Sequence, residues 1–288
     1  SGTVLGTLSA ATYSGTMTGA FVGGLFAEWF GYRWAFAASS LLLLGSALLI
    51  LMGTRERFAP PQPSADVSME GRVKRIWQKM GPALPILALM SVMGFVLHFD
   101  MAWLPLLVQD INPGGLKGAA AWSGSLSAAG GIAGFLAGPI IGRVADRIAP
   151  PRIGMFSALG AGLMVALVGL SRGFGLLFGA KFGATFCAGG LDPVFQIWLA
   201  KTTPPASRGF MFGWAVTYRA LGWMLAPLAS GMVAWRFGLR SVFFTAALLY
   251  LILIPLIALI VRLLPAASPS AFEQQPAVQA RRAGSIER

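Results

Sequence analysis

The sequence predicts an all-α polytopic membrane protein, a helical bundle built from two related halves. Three observations carry this. Of its 288 residues 56% are hydrophobic and 11% charged, with mean hydropathy +0.71, whereas a soluble domain carries about 25% charged residues. Eight apolar runs, at about 5–27, 34–54, 82–108, 121–142, 153–170, 174–199, 209–234 and 241–264, approach the roughly 20 residues that one bilayer crossing needs. Residues 1–44 also align without gaps on residues 208–251.

The first run contains GTMTGAFVGG at 15–24, four glycines in ten residues. In water glycine is a worse helix former than alanine by about 1 kcal/mol. In lipid, helices associate by close packing, and small residues let backbones approach. Gly15, Gly19 and Gly23 lie four apart, so they predict a smooth ridge that seats a helix of the other half. The second run closes a segment 1–54, the last two spans of a first half. Residues 55–81, rich in Pro, Ser and charge, read as a linker, and residues 265–288 as a disordered tail. Between them, 82–264 holds six spans.

The net charge of +12 has a topological cause. With the 55–81 loop placed in the cytoplasm, alternating spans put fifteen Lys and Arg residues on that side and five on the other. That is a positive-inside bias, and it makes the central loop and the C-terminus cytoplasmic. Anionic lipid headgroups, rather than nucleic acid, are the expected partners of these cations. The single cysteine, Cys187, sits inside a span and reads as a packing residue.

In the repeat, Gly2 falls on Gly209, Gly6 on Gly213, Gly15 on Gly222, Gly24 on Gly231, Phe30-Gly31 on Phe237-Gly238 and Arg33 on Arg240. A long-period repeat in a helical membrane protein points to a two-half transporter plan. The aligned spans run in the same direction, so the halves have like topology. Six spans separate the two starts, so four further helices are expected ahead of Ser1, as partners of the first half.

On these residues the chain resembles the major facilitator superfamily of secondary transporters, from the fifth transmembrane helix onward. Gly6, Gly15, Gly19 and Gly23-Gly24 are similar to the fifth-helix signature of that superfamily's drug:proton antiporters, with Ala20 where the signature has proline. The second copy has Pro227 at the equivalent place. GRVADRIAPPR at 142–152 resembles the superfamily's cytoplasmic gating motif in its second-half form, through Gly142, Asp146 and Arg147, with Arg152 standing for the usual basic pair. The resemblance implies alternating access around a central cavity, in the plasma (inner) membrane of a bacterium.

Charged side chains inside a bilayer cost several kcal/mol and are functional candidates. Counted from the cytoplasmic end of each span, Asp100 and Lys181 lie at one depth, and Asp192 and Arg219 at another. Lys181 and Asp192 are eleven residues apart, about three turns, so on a continuous helix they share a face about 16 Å apart. Two pairs are predicted, Asp100–Lys181 and Asp192–Arg219, stacked along one water-accessible wall. They are either a proton and substrate site or static ion pairs that tie helices together. Arg219 aligns with Thr12, so the fold itself does not demand its charge. His98, the lone histidine, is two residues from Asp100, about 200° around a helix, so the two should face different ways; a proton-coupling role and a packed polar role both stand. Pro193 after Asp192, with Gly189-Gly190 before it, predicts a kink. Trp122 and Trp198 read as interfacial anchors.

The chain has no P-loop, no paired Cys or His spacing for a metal and no nucleophile triad, so neither an enzyme nor a cofactor is expected. The leading expectation is proton-coupled efflux of small amphipathic or drug-like molecules. Two alternatives stand beside it: proton symport of an organic anion, resting on Arg219 and Lys181, and a non-transporting sensor or truncated membrane module.

Overall fold

The computed structural model describes residues 2–53, 83–203 and 207–263, so the expected linker at 55–81 and tail at 265–288 lie outside the described residues. Every regular element is helical: α1 (Gly2–Phe30), α2 (Tyr32–Gly53), α3 (Leu84–His98), a 3-10 turn (Met101–Trp103), α4 (Leu104–Ile111), α5 (Ala119–Arg147), α6 (Pro150–Leu170), α7 (Phe174–Ala188), α8 (Leu191–Thr202), α9 (Arg208–Phe237) and α10 (Leu239–Leu263). By length and composition, six segments among the described residues are able to cross a membrane: 32–53, 84–111, 119–141, 150–170, 174–202 and 239–263. The first and seventh runs form α1 and α9, of 29 and 30 residues. These have the length of a crossing, but Gly, Ser and Thr, with three arginines in α9, dilute their apolarity.

The repeat is visible in the fold. Helices α1 and α2 meet at Gly31, with φ +82°, and α9 and α10 meet at Gly238, with φ +89°. A side chain is strained at such left-handed positions, which is why both copies carry glycine there. The two hairpins differ in surroundings: α2 has no buried residue, whereas α10 is packed along α6. That α6–α10 contact runs over small residues. A Cβ added at Gly162 would lie 3.1 Å from the Tyr250 Cβ, and one at Gly169 would lie 3.1 Å from the Phe243 Cβ. Around this pair, α3, α7, α8 and α9 close a core in which Ile86, Leu87, Met90, Phe195 and Phe243 are fully buried.

Helix α1 docks on α5, which belongs to the 82–264 segment. The face it uses differs from the expected one. A Cβ at Gly15, Gly19 or Gly23 would meet nothing within 4 Å. The packed face holds Met17, Ala20 and Gly24: a Cβ at Gly24 would lie 2.9 Å from the Ala120 carbonyl oxygen, and one at Gly124 would lie 2.6 Å from that of Ala20. Spacing by four residues defines a stripe, but GTMTGAFVGG contains two such stripes, and only contact with Ala120 and Gly124, themselves four apart, selects between them. The Glu28 carboxylate secures the end of this contact by accepting from the Gly118 N–H at 3.0 Å.

In the second copy the choice is reversed. Gly222, Ala226 and Ser230, which align with Gly15, Gly19 and Gly23, are all buried, and a Cβ at Gly222 would collide with the Ser91 carbonyl oxygen of α3. Pro227 and Met224, which align with Ala20 and Met17, are exposed. GWMLAPLASG therefore packs through the face equivalent to the open one of the first copy. Gly6 lies on α1, with its surroundings outside the described residues.

Because Gly24 is in backbone contact and Gly19 is not, their substitutions should separate. Gly24→Leu should lower the thermal stability of the detergent-solubilised protein, by about 1–3 kcal/mol for an overpacked contact. Gly19→Ala should leave melting unchanged or raise it slightly. Equal melting shifts for the two variants would contradict the assigned face.

Candidate functional site

Two broken helices build the site. The third apolar run was expected to be one helix, but α3 ends at His98, and the chain passes through Phe99, Asp100 and the 3-10 turn before α4 begins. Pro105, at the start of α4, has no N–H to continue a ladder from the preceding turn. The break overturns the expectation that His98 and Asp100 face different ways: both line the same cavity. The sixth run is likewise interrupted at Gly189-Gly190, between α7 and α8. Pro193 cannot bond the Gly189 carbonyl, so the kink falls one turn before the proline, as expected. Here the chain is pressed on α5: a Cβ at Gly189 would lie 3.3 Å from the Gly134 Cα, and one at Gly190 would strike Ile141.

Both anticipated pairings are formed. The Lys181 Nζ lies 3.9 Å from the Asp100 Oδ2, and Asp100 is only 4% exposed. Arg219 Nη1 donates to Asp192 Oδ1. The other Asp192 oxygen, Oδ2, accepts from Gln196 Nε2 at 3.1 Å. The two pairs differ in kind: Asp192 is hydrogen-bonded through both oxygens, while Asp100 and Lys181 face each other beyond hydrogen-bond distance. Charge-assisted hydrogen bonds are roughly twice as strong as neutral ones, so the Asp192 pair is the more firmly built.

Arg219 is held from a second direction. Its Cζ lies 5.1 Å from the centroid of the Trp223 ring one turn along α9, and that ring lies 4.6 Å from the ring of His98. The His98 Nδ1 stands 3.2 Å from the Gly94 carbonyl oxygen. A carbonyl only accepts, so Nδ1 is a nitrogen that carries a proton in this contact. This grouping depends on a glycine that sequence reasoning missed. A Cβ at Gly94 would lie 2.6 Å from the Arg219 carbonyl oxygen, 3.0 Å from its Cγ and 3.2 Å from the Trp223 Cδ1. Gly94 and Gly222 together let α3 and α9 cross in backbone contact, which sets Arg219 and Trp223 beside His98. The small–x3–small logic that picked out residues 15–24 would have found Gly94 only if applied to pairs of helices.

All five ionisable candidates, His98, Asp100, Lys181, Asp192 and Arg219, line one cavity of about 460 Å³. It adjoins a second lobe of about 610 Å³ that also includes Gln196, Thr12 and Thr16. Drug-sized ligand sites span about 300–1,000 Å³. Trp223 borders both lobes. Of the tryptophans expected to anchor at the interface, Trp122 is 42% exposed and stacks on Phe174 with centroids 4.3 Å apart. Trp198 is buried against Phe195, 7% exposed, so core packing replaces the anchoring role. Trp103, by contrast, donates from its indole to the Ser230 hydroxyl at 2.9 Å, tying the α3–α4 break to α9. Of the gating-motif residues, Gly142, Asp146 and Arg147 fall on the last turns of α5 with side chains outside the described residues, and Arg152 is exposed in the first turn of α6.

The family profile of the Major Facilitator Superfamily matches residues 1–180 and, overlapping these, 118–285. The chain belongs to the Major Facilitator Superfamily. It is an integral, multi-pass membrane protein. Among curated members of this superfamily, it is 27% identical over 250 residues to YuxJ of Bacillus subtilis, an uncharacterized MFS-type transporter, covering 86% of this chain and 63% of that one. It is 29% identical over 256 residues to the multi-drug resistance efflux pump PmrA of Streptococcus pneumoniae, covering 86% and 61%. It is 28% identical over 251 residues to the multidrug resistance protein MdtG of Serratia proteamaculans, covering 87% and 61%. The chain thus spans about three fifths of the length of these relatives.

Within this superfamily member, Asp192 and Arg219 should behave as one energetic unit. In a double-mutant cycle with Asp192→Asn and Arg219→Gln, read by thermal unfolding in detergent, the double variant should be more stable than the sum of the single losses by about 1 kcal/mol or more. Additive losses would mean the pair contributes no coupling.

Proposed function

We propose that this protein moves small amphipathic or drug-like molecules across the bacterial inner membrane, outward, in exchange for protons. The observation that carries the reading is Asp100. A carboxylate buried at membrane depth, 4% exposed, is expensive to keep charged, and its lysine stands at 3.9 Å without a hydrogen bond. Asp100 stands beside Lys181 on the wall of a drug-sized cavity, where a proton-carrying group has to meet the substrate path. The names of two relatives, a multi-drug efflux pump and a multidrug resistance protein, support the direction and substrate class.

In this reading residues 1–54 and 82–264 belong to the two halves that rock against each other, joined by a cytoplasmic linker at 55–81, with the tail at 265–288 also cytoplasmic. The motif Gly142, Asp146, Arg147 and Arg152 closes the cytoplasmic side. Lys181 neutralises Asp100 while it is charged. His98, which borders both lobes, passes protons between Asp100 and the Asp192–Arg219 lobe. Asp192, paired with Arg219 in the unloaded cavity, faces the polar end of the substrate, and Trp223 its apolar body.

The test uses the intact protein in proteoliposomes loaded with a fluorescent amphiphile and given a pH gradient. Substrate should accumulate in the direction opposite to proton flow, and the accumulation should collapse on adding a protonophore. Asp100→Asn should lose gradient-driven accumulation by at least tenfold while substrate–substrate exchange continues. Accumulation that follows protons would show symport instead, and accumulation indifferent to pH would remove the coupling.

A further inference from the structure

The surroundings of Arg219 have the composition of a receptor for an organic cation. On one side is a carboxylate, Asp192, held in place by Gln196 at 3.1 Å. On another is the indole of Trp223, backed by the His98 ring at 4.6 Å. A carboxylate beside an aromatic face is what attracts an ammonium or similar cation, through a salt bridge and a cation–π contact together. The group occupying it is the protein's own guanidinium, paired with Asp192 and 5.1 Å from the indole centroid.

Three further observations bear on its role there. The aligned residues of the first copy are Thr12 and Thr16, so neither the guanidinium nor the indole is required by the repeated fold. Arg219 Nε is buried without a hydrogen-bond partner among the described residues, so the guanidinium is not satisfied as fully as a structural arginine would be. And Asp192, Arg219, Trp223 and His98 stand at the junction of both lobes of the cavity, where a charged head can reach them while an apolar body lies in either lobe.

We propose that Arg219 is a tethered competitor: it fills the Asp192–Trp223 cation site, and an amphipathic organic cation binds by displacing it. The inference rests on the reading that the cavity takes amphipathic molecules, and adds to it a ligand charge and a residue that sets affinity. Displacement costs the ligand the Arg219–Asp192 pair and regains an equivalent one, so binding is weak and reversible, as release on the far side requires. An amphipathic anion would instead use Arg219 as its partner, so the two charges predict opposite effects of removing it.

The test compares two ions of the same shape, tetraphenylphosphonium and tetraphenylborate, by titration calorimetry on the intact protein in nanodiscs. Arg219→Gln should bind tetraphenylphosphonium about tenfold more tightly than the unaltered protein, with tetraphenylborate unchanged or weaker. Arg219→Lys, which keeps the charge but loses the planar stacking group, should fall between, and it serves if Arg219→Gln folds poorly. Adding Trp223→Leu to Arg219→Gln should cancel the gain. If both ions bind but Arg219→Gln leaves the cation's affinity unchanged or lower, the competitor role is wrong while the amphiphile-binding reading survives. Should neither ion bind any of these proteins, both fall.

Discussion

In a bilayer, burying apolar surface gives helices little reason to associate, because lipid tails are as apolar as leucine. What remains is contact between backbones, and this protein depends on it at two crossings. At one, Gly24 and Gly124 bring α1 against α5; at the other, Gly94 and Gly222 bring α3 against α9. The first ties residues 2–30 to the segment that begins at 83. The second places Arg219 and Trp223 beside His98, and through Arg219 it fixes Asp192 on a third helix. The charged wall of the cavity follows from a fit between glycines that bear no charge themselves.

The repeat shows how one sequence pattern serves two different contacts. In α1 the stripe Met17, Ala20, Gly24 is packed and Gly15, Gly19, Gly23 lies open; in α9 the equivalents of the open stripe are the buried ones. A helix with small residues on two faces can be gripped from either side, at the cost of apolarity that α1 and α9 both show. The ends of the two hairpins were kept alike by Gly31 and Gly238, while Arg240 gained partners in the carbonyls of Gly169 and Ser171 and in the Asp110 carboxylate. Arg33, its counterpart, begins the exposed α2.

Much of this was legible in the residue order, because a bilayer limits what a sequence can mean. Length and apolarity place the spans, and depth along each span put Asp100 level with Lys181 and Asp192 level with Arg219, since charges at membrane depth must find one another. Angles around a helix were less legible. The 200° separating His98 from Asp100 holds only on an unbroken helix, and the turn at 99–103 removes it. Gln196 and Gly94 carried no signal of their own: one matters for the oxygen it holds and the other for the side chain it lacks. Trp198 looked like an anchor because it is aromatic near the end of a run, but its neighbours in space, not its position in sequence, decide its burial.

The breaks at 99–103 and 189–190 interrupt the helices at membrane depth, and local turns pair part of what they release: the Phe99 N–H donates to the Val96 carbonyl, that of Trp103 to Asp100 and that of Gly189 to Thr185. Main-chain groups outside a helical ladder are tolerated there only where they are enclosed by protein or face a water-filled space. Both breaks border the same cavity, and Phe99, Asp100, Gly189 and Gly190 are themselves buried in protein. A chain that pairs its own amides at a bend can change direction inside apolar surroundings without calling on solvent, and two such bends draw the wall of this cavity.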